Sequence, residues 1–262
     1  MSWLTQTVSS SIGKKLIMAL TGLFLCSFLI VHVVGNLQLF KSDQGLAFNT
    51  YTVFMTTNPV IRTISYGLYA FILLHAFDGF YLAYKNRQAR GKKGYATVNN
   101  QSTWASRNMA LLGTILLVYI VVHMGDFWFE YKFGYIPFKK YTIDLAEGKV
   151  VSTEDMPGSY TVSGKIAETM NEETLTKTVI VKDLYKQAEV SFTNPLLVLF
   201  YVLSMAAVSF HLVHGFRSAW QTLGANHPKY NPLFNFLGVW LFAIIIPIAF
   251  AAMPVYFFLK QL

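Results

Sequence analysis

The sequence predicts an all-α integral membrane protein, a five-transmembrane-helix bundle that carries a small extracytoplasmic insertion. Three observations predict it. Of 262 residues, 54% are apolar and 16% aromatic, while only 13% are charged, against about a quarter in an average soluble domain. Five stretches each supply the roughly 20 mostly apolar residues needed to cross about 30 Å of hydrocarbon. A sixth stretch, 131–194, is too polar to span. The chain 1–262 is read as a single membrane domain interrupted by that insertion.

The first span, 16–40, follows Lys14 and Lys15 and continues without a small-x-small cleavage site, so it reads as a retained helix rather than a signal peptide. Leu25 before Cys26 also lacks the small side chain expected at a lipoprotein site. The remaining spans are 61–84, 105–130, 195–220 and 233–259. Asn58-Pro59, Asn194-Pro195 and Asn231-Pro232 place helix-starting punctuation at three of these N-termini. The insertion holds eight lysines and nine acidic residues, with alternation such as Thr178-Val179-Ile180-Val181 that can pair as strands. A cap over helix ends and a partner-docking surface are both open readings of it.

The formal charge of +8 comes from basic residues that flank apolar runs, not from a stripe interleaved with aromatics, so membrane-flanking charge is expected and nucleic-acid binding is not. Lys14, Lys15, Lys85, Arg87, Arg90, Lys92, Lys93 and Arg107 crowd one set of short loops, with Arg217 and Lys229 on the same face, while 41–62 carries few charges. The excess predicts a cytoplasmic N-terminus and a C-terminus outside. Cys26 is the lone cysteine, so any cysteine-ligated iron-sulfur cluster must belong to a partner.

Five of the six histidines, His32, His75, His123, His211 and His214, fall inside the predicted spans. A polar side chain in hydrocarbon is costly and marks a pathway or site, although an interhelical hydrogen bond is a standing alternative for any one of them. At 1.5 Å per residue, His32 and His123 lie roughly 25 Å from the cytoplasmic starts of their helices, and His75 and His211 roughly 21 to 24 Å from their outer starts. Two pairs at matched depth, separated by on the order of 10 Å, supply two bis-histidine haem sites stacked across the membrane. Gly79 follows His75 by four residues and Gly215 follows His211 by four, which leaves room on each histidine's face for a flat macrocycle. His214 is the alternative to His211 and otherwise a hydrogen-bonding neighbour or proton carrier. His227, beside Pro228, reads as a surface residue.

Asp78 and Asp126 each follow a histidine by three residues and can serve proton transfer or simply hydrogen-bond to neighbouring helices. Glu130 reads as hydrated. Asn36, Gln38, Asp126 and Trp128 near the outer helix ends are quinone-site candidates that ordinary interfacial anchors would also resemble. No catalytic residue is assigned.

The run His32-Val33-Val34-Gly35-Asn36-Leu37, His75 to Gly79, His123 and Phe210-His211-Leu212-Val213-His214-Gly215 together resemble the two-haem cytochrome b subunit of succinate:quinone oxidoreductases (succinate dehydrogenase and fumarate reductase). The resemblance covers all five helices and is closest to the single-polypeptide anchors of bacteria that use menaquinone. It implies a subunit of that enzyme in a bacterial cytoplasmic (inner) membrane. Two haems b are implied, with His32 and His123 binding the outer iron and His75 and His211 the inner one, and menaquinone is the substrate. FAD and iron-sulfur clusters would lie only in partner subunits, a flavoprotein and an iron-sulfur protein docked on the cytoplasmic face near 85–93, where succinate chemistry is expected. A dimer of such complexes is compatible with it. The long insertion and His214 depart from the family pattern. Competing expectations are a cytochrome b subunit of a hydrogenase or formate dehydrogenase, and a haem-free proton-coupled transporter.

Overall fold

The computed structural model of the chain describes residues 2–91, 102–160, 162 and 164–262. Hydrocarbon offers backbone N–H and C=O groups no partner, so an apolar run that crosses it satisfies them internally as a helix. Five helices are long and apolar enough to cross: Ser11–Phe40, Pro59–Arg90, Met109–Lys132, Pro195–Thr222 and Asn231–Leu259. They present large apolar side chains outward, among them Leu196 at 75% exposure and Phe77 at 74%. Leaving such a side chain in water forgoes about 1.5–3 kcal/mol of burial each. Against lipid tails that penalty vanishes, which makes these surfaces membrane-facing.

Two of the Asn-Pro starts act as caps. Asn58 Oδ1 accepts from the Val60 and Ile61 amides at 2.9 and 3.2 Å, and Asn194 Oδ1 accepts from Leu196 and Leu197 at 3.0 and 3.4 Å. Asn231 does not, because it already lies inside the first turn behind Tyr230 and donates instead to Asn226 Oδ1 at 2.9 Å. The second span runs on to Arg90, so Lys85, Arg87 and Arg90 are helical rather than part of a connection. Lys92 and Lys93 lie outside the described residues. The third span starts at Met109, because Trp104–Arg107 forms a separate turn that ends at Asn108.

The described chain divides into two compact units, each drawing on all five spans. One comprises Met1–Val31, Ser65–Ile120 and Tyr201–Ala251. Within it Phe24 meets Phe71 edge-on at 4.9 Å, Ala105 and Leu112 pack with Ala207, and Phe216 lies 4.7 Å from Phe242. Gly238 is what admits Phe216: a Cβ there would stand 2.9 Å from the ring's Cδ1.

The other unit comprises His32–Ile64, Val121–Phe200 and Ala252–Leu262. It corrects the all-α expectation, because the insertion folds as an antiparallel sheet of β1 (Phe138–Asp144), β2 (Lys149–Asp155), β3 (Ile166–Asn171) and β4 (Thr176–Lys182) in the order β2-β1-β4-β3. Tyr141 pairs with Val179, and Tyr141, Val179 and Val181 turn into one core with Val53, following the two-residue strand period. Val53 belongs to a helix, Leu46–Thr57, that the hydropathy reading leaves as a loop. Asn49, wholly buried on that helix, ties the unit together. Its Nδ2 donates to Tyr141 Oη at 3.1 Å and to Asp183 Oδ1 at 2.7 Å, while its Oδ1 accepts from the Tyr185 amide at 2.9 Å. Asp183 in turn caps the Leu184–Ser191 helix by accepting from the Lys186 amide at 3.1 Å.

Candidate functional site: two facing histidine pairs

The spans bring the four histidines together two by two, and each pair falls within one unit. His75, on the second span, faces His211 on the fourth, with ring centroids 6.3 Å apart and planes at 65°. His32, on the first span, faces His123 on the third, with centroids 5.8 Å apart and planes at 88°. An imidazole nitrogen bonds a transition metal at about 2 Å and sits roughly 1.2 Å from its ring centroid, so two imidazoles on opposite sides of one ion place their centroids about 6.3 Å apart. The His75–His211 separation matches that spacing, and the His32–His123 separation is about 0.5 Å shorter. Among the described residues no three His, Cys, Asp or Glu side chains gather as a metal set, and each pair brings together two imidazoles.

The surroundings of His75 restrict its ring. Thr21 Oγ1 donates to the Ile17 carbonyl at 2.7 Å and lies 3.1 Å from His75 Nδ1. The same hydroxyl lies 3.2 Å from the Met18 carbonyl. A metal-binding histidine is fixed in the same way, by a partner on the nitrogen that does not ligate. Gly22 flanks the same ring: a Cβ there would stand 3.2 Å from His75 Cε1. Neither Thr21 nor Gly22 was singled out by sequence. Their signal was a small, polar interruption of an otherwise apolar run, the composition of a close helix contact.

His211 Nδ1 is buried and, among the described residues, has no hydrogen-bond partner. Gly113 approaches the same ring, its would-be Cβ 4.0 Å from Cε1. His214 lies almost one helical turn beyond His211, and the ring opposite His75 is that of His211. Around Gly215 a Cβ would meet nothing within 4 Å, and at Gly79 it would meet the flexible end of Met18 at 3.6 Å, so space remains beside both glycines. Asp78 Oδ2 is buried without a hydrogen-bond partner among the described residues.

In the other unit Asn36 donates to the His32 carbonyl at 2.7 Å and stands 3.3 Å from Nδ1, so its amide is engaged one turn along its own helix. Gln38 sits in the tight Leu37–Phe40 turn, where its carbonyl accepts from the Lys41 amide at 3.2 Å. After His123 the helix widens into a π-helical stretch, Met124–Phe129, which carries Asp126 and Trp128. Such widened turns occur often at functional sites. Gln187 of the insertion donates to the Asp126 carbonyl at 3.0 Å, and Lys132 lies over the Trp128 ring at 4.9 Å. Phe127 follows His123 with ring centroids 5.4 Å apart, and Phe192 follows Phe127 at 5.8 Å. His227 stands outside the spans, where its Nδ1 accepts from the Lys229 amide at 3.2 Å.

Comparisons of the chain with protein-family models, curated proteins and solved structures find no match.

Proposed function

We propose that the chain is the two-haem membrane cytochrome b of a succinate:menaquinone oxidoreductase, with one haem b held by His32 and His123 and the other by His75 and His211. The observation that carries the reading is the meeting of imidazoles in two pairs, 5.8 and 6.3 Å between centroids, the second the spacing of two imidazoles on one metal ion. Two imidazoles in each pair would suit the iron of a haem in an electron carrier. Bound haem supplies one-electron redox chemistry, and the protein sets its potential through ligand type, burial and hydrogen bonding.

The chain's own residues divide the remaining work. Thr21 holds the His75 ring by its Nδ1, and Gly22 lets the first span approach that ring. Both pairs lie on helices apolar enough to cross a membrane. Asp126 and Trp128, on the widened turn beside His123, join Asn36 and Gln38 as the groups we assign to menaquinone, with Asp126 as the proton-transfer candidate. The Asn36 amide already bonds within its own helix.

The resemblance in the histidine segments supports the succinate assignment, with a flavoprotein and an iron-sulfur subunit docking on the cytoplasmic face of a bacterial inner membrane. In this arrangement Lys85, Arg87 and Arg90 extend the second span beyond the lipid toward those partners. A reduced-minus-oxidised spectrum of membranes after succinate addition tests the whole assignment. The expected result is a b-type spectrum reduced by succinate, with two haems per chain by pyridine haemochrome. Absence of a Soret band defeats it in favour of a haem-free transporter. Two haems that succinate leaves oxidised, with co-purification of a nickel or molybdenum subunit, point instead to a hydrogenase or formate dehydrogenase cytochrome.

A further inference from the structure

The lysines of the insertion fall into two groups. Lys139, Lys140, Lys149, Lys177 and Lys186 each lie within ion-pairing distance of a carboxylate, on Asp183, Glu154, Glu147, Glu168 and Glu189 respectively. Lys132, Lys165 and Lys182 have no such carboxylate among the described residues, and the residues outside that set include no Asp or Glu. Two of these, Lys165 and Lys182, converge on one place, while the Lys132 ammonium lies over the neighbouring Trp128 ring at 4.9 Å. Lys165 and Lys182 lie 4.6 and 5.1 Å from the centre of the same Tyr131 ring, and Lys182 Nζ donates to the Tyr131 carbonyl at 2.7 Å. Their backbones are joined as well, the Lys182 amide donating to the Lys165 carbonyl at 3.3 Å. Lys132 follows Tyr131 directly.

Partial burial pushes the ammonium of Lys165 below its ordinary value, and the charges of Lys182, Lys132 and Arg62 push it further the same way; burial also lowers Lys182. Half-buried like charges repel one another, and an aromatic face offsets only part of that cost. An anion would remove the rest. Its depth is given by the chain: Arg62 lies in the first turn of the second span and Lys132 is the last residue of the third, so the cluster stands where apolar helix gives way to polar chain. Phe129, Phe133 and Tyr135, at 52, 67 and 65% exposure, surround that boundary like the aromatic residues found at membrane interfaces.

We propose that Arg62, Lys132, Lys165 and Lys182 form a binding site for the phosphodiester headgroup of an anionic phospholipid, in the leaflet that meets the sheet-bearing insertion. Phosphate supplies several acceptor oxygens for the separate donors, and its acyl chains would lie along the exposed apolar faces of the spans. The lipid would then hold the β3 and β4 ends against the membrane.

The test uses the full chain reconstituted into phosphatidylcholine nanodiscs with and without phosphatidylglycerol, followed by native mass spectrometry of the lipid it retains. The wild type is expected to retain phosphatidylglycerol in preference to phosphatidylcholine, and Lys165→Gln with Lys182→Gln to weaken that preference about 30-fold, from the attraction of two basic residues to anionic lipid. Lys140→Gln with Lys149→Gln removes the same net charge from paired lysines and should leave retention unchanged. Equal losses in both double variants, or no preference in the wild type, overturn the site. Displacement of phosphatidylglycerol by millimolar inorganic phosphate overturns the lipid as its source. If the first double variant fails to fold, Arg62→Gln with Lys132→Gln, at exposed positions, carries the same expectation.

Discussion

Replacing Gly22 by valine should empty the His75–His211 pair and spare the other. The α-hydrogen of Gly22 points at the His75 ring, and a Cβ there already stands 3.2 Å from Cε1, inside the roughly 3.5–4.0 Å of relaxed carbon contact. Alanine needs the ring to give way by a few tenths of an ångström. Valine adds methyls about 1.5 Å further out, and in a helix it is confined almost to one rotamer, so it cannot swing them aside. The ring must retreat while Thr21, the adjacent residue, holds its Nδ1 at 3.1 Å. Overpacking of this kind costs about 1–3 kcal/mol, which at tenfold per 1.4 kcal/mol weakens occupancy of the pair about 5- to 140-fold. Pyridine haemochrome on the purified protein reads the outcome as a fall from two haems per chain toward one, with Gly22→Ala intermediate. Gly67→Val, on the second span where a Cβ meets nothing within 4 Å, controls for placing valine in a membrane helix. Two full haems in Gly22→Val would refute the reasoning, because the ring would then not be where the pair requires it.

Further outcomes follow from the same geometry. His211→Ala should remove one haem and His214→Ala none, since the ring that faces His75 is His211; the reverse result would reassign the ligand. Asn49→Leu takes a charge-assisted bond from Asp183 and leaves the Tyr185 amide buried without its acceptor, a loss of about 3–5 kcal/mol in the sheet-bearing unit. Thermal unfolding followed by strand-sensitive circular dichroism measures it, and a shift equivalent to under about 1 kcal/mol contradicts the keystone role. Burial pushes the Asp183 carboxyl above the usual carboxylate value, while its bonds from Asn49 and Lys186 and the charge of Lys139 pull it down less strongly. Because the folded state then holds that proton more tightly than the unfolded one, stability from this group falls as pH rises from the unfolded value through the folded one and is level above it. Asp183→Asn should flatten that segment of a melting-temperature profile against pH, and an unchanged slope would show that another group sets it.

Several features of the structure were legible in the chain because they depend on one-dimensional quantities. Hydropathy over some 20 residues located all five spans, since the solubility of an apolar run in lipid does not depend on its neighbours. Asn58 and Asn194 marked their helix starts because a cap acts within three residues. A constant rise per residue led to the pairing of His32 with His123 and of His75 with His211, and the structure places the same rings next to one another.

What failed in one dimension depends on a partner distant in sequence. Leu46–Thr57 is only moderately apolar and holds as a helix by burying Phe48, Asn49, Thr52 and Val53. The strands of 131–194 were visible as alternation, but their order β2-β1-β4-β3 and the meeting of Asn49 with Asp183 arise from pairing across the chain. Gly22 and Thr21 look like unremarkable span residues until the second helix sets His75 against them. Lys165 and Lys182 are indistinguishable from their paired neighbours until the hairpin folds them onto Tyr131. The sequence by itself determined that five helices are long and apolar enough to cross a membrane, because transfer into lipid and helical rise are local. Tertiary structure alone decided which groups touch, because the rotation of one helix against another is settled only when side chains from both fill the space between them.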